Sequence, residues 1–192
     1  MPIDLHRFVV FCHVVGMVGI VAGVTIEWIS IPSLVPATTY EEARQGMALW
    51  PLLQRIGRPS YLLVLASGIY LAASLAAWQY AWAAIAVPTL VVVAIAGAAI
   101  GPRLGRIREA TATGIGPLSN DAHLKLRDPM ILASWRFRTA LLSGLVLEMT
   151  AKPNFAGVPI IIGAGVIGIA WGALPWVTSE RRLQQPHRSN RG

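Results

Sequence analysis

The chain has 192 residues, of which 55% are hydrophobic and only 13% charged, and its mean hydropathy is +0.58. Soluble domains carry about 25% charged residues, so this composition excludes an ordinary soluble enzyme and points to a membrane protein. The formal net charge of +7 does not indicate a nucleic-acid partner, because the basic residues sit between apolar runs and in the tail, where membrane topology puts them.

The first apolar run, 8–31, exceeds the roughly 20 residues that cross a bilayer and is predicted to be the first span. It carries His13 and Glu27, with His6 at its mouth. The separations within this trio are multiples of seven residues, which place all three close to one helical face. Ionisable groups in hydrocarbon turn toward protein or water, so that face is predicted to look inward. Arg7 before the run and Val35-Pro36-Ala37 after it have the outline of a signal peptide. The length of the run and the presence of Glu27 favour a retained span instead. Cys12 is the single cysteine, so no intrachain disulfide is available and the residue reads as a small apolar filler.

Pro32 and Pro36 are expected to stop this helix. Thr39 to Glu42 has the form of a capping box. It opens a segment with Ala43, Met47, Trp50 and Leu53 on one side, read as an interfacial amphipathic helix that Pro51 bends or divides. The second span is predicted at 61–78, with small residues Gly68, Ala72 and Ala76 every fourth position. Trp78, Tyr80 and Trp82 then surround a very short turn, so spans two and three form a tight hairpin. The third span, 81–100, contains Pro88, and Gly97 and Gly101 make a GxxxG near its end. Residues 103–127 read as a polar inner segment with a turn at 111–116. A short helix capped by Ser119 or Asn120 then runs through Leu126. Asp128-Pro129 is an N-cap followed by proline at the first helical position. It starts the fourth span, 129–151, which holds Arg136 and Arg138 several turns inside and Glu148 near its end. Lys152-Pro153-Asn154 is expected to end it. The fifth span, 158–177, carries a second GxxxG at Gly168 and Gly172, and the basic tail 179–192 is expected to be disordered.

The expected fold is a single all-α domain, a transmembrane bundle of five spans with the N-terminus outside and the C-terminus inside. In that orientation the inner segments hold Arg44, Arg55, Arg58, Arg103, Arg106, Arg108, Lys125, Arg127 and four tail arginines. The outer ones hold only Arg7 and Lys152, which satisfies the positive-inside rule.

Antiparallel spans one and four bring Glu27 and the pair Arg136 and Arg138 to the same inner side. Glu27 is therefore predicted to pair with one of them, with Arg58 the next candidate. Long arginines can also snorkel to the interface. Glu27, Arg58, Arg136, Arg138 and Glu148 form the expected polar core, either an inner vestibule for an anion or proton or a packing device alone. His6 and His13 are candidate cofactor ligands, and His13 is the candidate metal ligand. About 10 Å of helical rise separates the two histidines, so both cannot hold one ion on a straight helix. Hydrogen bonding of His13 to another helix is the simpler expectation. There is no CxxC, HExxH, P-loop or G-x-S-x-G motif, and nothing else points to an enzyme.

The pattern F-C-H-V-V-G-M-V-G in the first span resembles the first helix of small bacterial membrane proteins of unknown function. The stretches R-P-S-Y-L-L-V-L-A-S-G-I-Y-L and R-F-R-T-A-L-L-S-G-L-V-L-E-M-T-A-K-P are similar to their later helices. Those proteins are distantly like the membrane domain of copper-resistance D proteins. The resemblance implies a helical bundle in a bacterial inner membrane and a metal or redox connection, through copper or haem, at His13. The functional expectation is a multi-pass protein whose polar core binds or passes a small ligand, ion or metal. The alternatives are an accessory subunit that meets a partner subunit or a second copy through its GxxxG faces, and a haem-bearing redox protein.

Overall fold

The first helix is long because nothing before Pro32 breaks it. α1 spans Leu5–Leu34, its first turn capped by Asp4, whose side chain accepts from the His6 backbone N–H, and Pro32 is absorbed in its last turn rather than ending it. Its buried residues include Gly16, Ile20, Gly23, Glu27, Ser30 and Leu34, an alternation of three and four that draws one stripe down the helix. Glu27 belongs to that stripe.

The computed structural model describes residues 4–151 and 157–183. The expected helix stop at Lys152-Pro153-Asn154, the tail beyond 183 and the Trp78 side chain lie outside the described residues. Within them the chain is all-helical apart from turns and one isolated β-bridge. α2 (Tyr40–Met47) carries the complete capping box of Thr39 and Glu42. The chain breaks at 48–49, and Pro51 stands in the first turn of α3 (Trp50–Ser74), where its missing N–H costs nothing. Arg55 and Arg58 thus belong to the helix and not to a loop. A left-handed Ala76, with φ of 49°, and a 3-10 turn at Ala77–Gln79 reverse the chain, as the hairpin reading requires. Tyr80 and Trp82 stack there, with centroids 6.4 Å apart.

α4 (Ala81–Ala112) is longer than the predicted third span. The helix continues through Arg103, Arg106 and Arg108 because Ile100, Leu104, Ile107 and Thr111 keep one buried stripe, and arginine is a good helix former. α5 (Asn120–Leu126) is capped by Ser119. α6 (Pro129–Ala151) opens on Asp128, whose carboxylate accepts from the Met130 N–H. α7 (Gly157–Leu183) runs past the predicted fifth span into what was expected to be tail.

Four stretches, 5–34, 40–74, 82–112 and 120–150, are long and apolar enough to cross a membrane. The apolar part of α7, Val158–Gly172, is shorter. Together these are the helices of a multi-pass membrane protein.

α1 packs on α3, α6 on α7, and α4 on α6, whereas α3 and α4 touch sparsely. Small residues make the close contacts. A Cβ on Gly19 would lie 2.0 Å from Ser60 Oγ, and one on Gly16 would lie 2.6 Å from a Val64 methyl. The second GxxxG serves the same purpose, for Gly168 lies against Phe137 and Ala140, and Gly172 against Ala133. Its small face is used within the chain. At one end of the bundle the α1–α2 and α4–α5 connections meet. Thr39 and Pro117 form the β-bridge, the Leu118 N–H donates to Thr38 O and the Tyr40 N–H to Gly116 O. Arg44 Nη1 donates to Gly114 O at 2.8 Å. Most of the basic residues assigned to the inner segments belong to this end.

Candidate functional site

Two residues apart on a helix means about 200° of rotation, so Arg136 and Arg138 point to different neighbours. Arg138 lies in the buried stripe Ile131, Trp135, Arg138, Leu141, Leu145 and Glu148 of α6. Its Nη1 donates to Glu27 Oε1 at 2.9 Å, with the two side chains 6% and 11% exposed. Of the two arginines proposed for Glu27, this is the one that reaches it. Arg138 does not snorkel. Arg136 turns to α7, where Nη1 donates to Trp171 O at 2.8 Å and the guanidinium stands 5.4 Å from the indole centroid. That geometry is a cation–π contact.

The ion pair uses only part of the guanidinium. Arg138 Nε and Nη2 are buried without a hydrogen-bond partner. They form one edge of the fork that matches a carboxylate or phosphate bidentately. Beside the pair is a cavity of about 350 Å3 between α3 and α4, walled by Glu27, Arg58, Tyr61, Gly97, Gly101 and Arg138 among others. The first GxxxG is part of this wall and not a helix-contact face. A Cβ at Gly97 would lie 3.3 Å from Arg138 Nη1, and one at Gly101 4.0 Å from Arg58 Nη2. The missing side chain at Gly97 makes room for the Arg138 guanidinium, while a Cβ at Gly101 would meet Arg58 at ordinary contact distance. Arg58 is exposed and has no ion-pair or hydrogen-bond partner among the described residues. The cavity therefore sets two guanidinium groups against one carboxylate, an excess of one positive charge.

A Trp cluster flanks the site and was missed in the sequence reading. Trp28 packs edge-on to Trp135 at 5.4 Å, and Trp171 lies 6.0 Å from Trp135 and 6.4 Å from Trp28. Tryptophans in each of α1, α6 and α7, with Trp28 and Trp135 within three residues of a buried charge, are the available signal.

The histidines lie apart from this site. His6 is half-buried in the first turn of α1. His13 Nδ1 is 3.0 Å from Ser67 Oγ on α3. Ser67 commits its one hydroxyl hydrogen to Leu63 O, which assigns the donor role to His13 Nδ1 and leaves Nε2 unprotonated. Nε2 is thus the nitrogen that would face a metal. Among the described residues, however, no three His, Cys, Asp or Glu side chains converge on one point. Met17 and Met149 line the same cavity as His13, and no chemistry is derived through a copper or haem centre there. Glu148 is fully buried, and neither carboxylate oxygen has a hydrogen-bond partner among the described residues. It shares the α6 stripe with Arg138 but lies ten residues, about 15 Å, further along the helix. It is not part of the Glu27–Arg138 cavity.

Compared with known proteins, the chain matches no family model, no curated protein and no solved structure, so the reading of the site rests on the chain's own geometry.

Proposed function

We propose that this chain is a five-span protein of the bacterial inner membrane, with its N-terminus outside, whose polar core binds a small anionic ligand near the inner face. The observation that carries the reading is the cavity beside the Glu27–Arg138 pair, where Arg58 supplies a positive charge that no protein group balances. An arginine that lines an otherwise mostly apolar cavity without a counter-charge among the described residues is a binding point for an anion. The orientation rests on the gathering of arginines at the end where Thr39 meets Pro117. The accessory-subunit alternative draws nothing from the GxxxG motifs, since one packs α7 on α6 and the other lines the cavity.

Native mass spectrometry of the protein released from neutral micelles tests the binding. The expected result is saturable retention of an anionic species that is lost in Arg58→Gln. A protein that retains no anion, alone or after titration, refutes it. Reporter fusions at residues 104 to 127 test the topology, and a signal from outside the membrane there overturns it.

A further inference from the structure

The lower cavity has a neighbour. A second cavity of about 380 Å3 lies on the same α3–α4 seam, lined by His13, Leu65, Leu71, Trp82, Ala86 and Leu90 among others. The lower cavity ends at Tyr61, Leu62 and Val93, and the upper one begins about a turn away at Val64 and Leu90. Both exist because α3 and α4, although consecutive, lean on α1 and α6 rather than on each other. Among the described residues the upper cavity has no charged side chain in its wall. In the lower one the polar side chains are Glu27, Gln54, Arg58, Tyr61 and Arg138, and most other lining residues are apolar. Leu62, which lines the lower cavity, is 68% exposed, so the seam opens sideways onto the apolar surface of the bundle.

Resting on the anion reading above, we infer that the ligand is a single-chain anionic amphiphile, its carboxylate or phosphate head at Arg58 beside the Glu27–Arg138 pair and its acyl chain along the seam toward the upper cavity. Charge selects the head. One cation, Arg58, is in excess beside a carboxylate already held by Arg138, whose own Nε and Nη2 are enclosed by protein atoms. The walls select the tail. A small anion would leave the apolar walls uncovered, whereas an amphiphile buries its own chain against them, which contributes roughly 0.8 kcal/mol per CH2. Length agrees as well. From Arg58 to Leu71 is 13 residues, about 20 Å of helical rise, about two-thirds of the ~30 Å hydrocarbon core. A chain of that length anchored near the inner face reaches past the bilayer midplane. Entry is lateral, from the bilayer, and needs no opening to water.

The test uses the full-length protein in zwitterionic nanodiscs and four probes: laurate, dodecyl phosphate, dodecanol and acetate. Binding is read by native mass spectrometry and by quenching of tryptophan fluorescence. Laurate or dodecyl phosphate is expected to bind at least about tenfold more tightly than dodecanol and acetate. Preference between the first two tells a free fatty acid from a phosphate-bearing lipid. Arg58→Gln, at an exposed position, is expected to reduce the anionic probes to the level of dodecanol. Ala72→Phe, which fills the upper cavity, is expected to favour shorter chains. Acetate binding as tightly as laurate overturns the amphiphile and leaves the small-anion reading standing. Dodecanol binding as tightly as laurate, unchanged in Arg58→Gln, overturns the head-group assignment. If no probe binds a folded protein, both readings fall.

Discussion

Replacing Glu27 by leucine leaves the Arg138 guanidinium charged, 5% exposed and without the one partner that its Nη1 has. At the observed 2.9 Å, Coulomb attraction is about 6 kcal/mol at an effective dielectric of about 20. Desolvation of the two ions costs several kcal/mol each, so the pair as a whole contributes little net stability. Removing one partner is different, because the desolvation penalty of the other remains. The expected loss is about 3–5 kcal/mol for Glu27→Leu or for Arg138→Met. The double variant has no stranded charge and should lie within about 1–2 kcal/mol of the parent, giving a coupling of several kcal/mol. Reversible unfolding in mixed micelles, monitored by tryptophan fluorescence, reads each corner of the cycle. The control is Arg136→Gln, whose effect should add to that of Glu27→Leu within about 0.5 kcal/mol, since Arg136 answers to Trp171. A Glu27–Arg138 coupling below about 0.5 kcal/mol refutes the pair as a unit, as does equal coupling of Glu27 to both arginines.

Gly19→Ala should destabilise the α1–α3 contact by about 1–3 kcal/mol, because its Cβ would lie 2.0 Å from Ser60 Oγ and 2.9 Å from Ser60 Cβ. Adding Ser60→Gly should restore part of that, as measured by thermal unfolding in detergent. Gly168→Leu should pry α7 from α6, since a Cβ there already lies 3.0 Å from Phe137 Cα, a backbone atom that cannot yield. Loss of a disulfide engineered between 144 and 164, where a Cβ on Gly144 would lie 2.7 Å from Ala164 Cβ, would report it. Glu42 accepts from the Thr38 and Thr39 backbone N–H groups and the Thr38 hydroxyl. The Thr38 bonds, and then the Thr39 bond, hold its carboxyl below the ordinary value of 4.5. A folded pKa below the unfolded one means that the cap contributes fully above about 4.5 and is lost as pH falls through the lower folded value. A spin label at Gln45 should become mobile in that range, and Glu42→Gln should show no such transition.

Much of this fold was legible because buried faces repeat every three and four residues. Gly16, Ile20, Gly23 and Glu27 mark the α1 stripe, and Trp50, Leu53, Gly57, Ser60, Val64 and Ser67 mark that of α3. Likewise, Asp128-Pro129 and the Thr39–Glu42 box announced their helices, since capping is local chemistry. The end of α4 was not read correctly. Its arginines look like loop, although Ile100, Leu104, Ile107 and Thr111 continued the stripe. Topology limited the partner of Glu27 to two arginines, and the choice depended on which side of α6 the last helix occupies, a tertiary fact. The cavity was illegible for the same reason. It is made by the weak contact of α3 and α4, and a missing contact leaves no periodic trace in sequence.

Arg138 also bears on how the chain enters the membrane. Between Arg138 and Glu148, α6 offers only the uncharged run 139–147, and each arginine near a helix centre opposes insertion by roughly 2.5–3.5 kcal/mol. Alone, α6 is a poor substrate for the insertion machinery. α1 is synthesised first, so its carboxylate is already in place when α6 emerges, and the later helix enters against a waiting counter-charge. On this reasoning the first helix assists the insertion of the sixth, and a chain carrying leucine at position 27 is expected to insert α6 less efficiently.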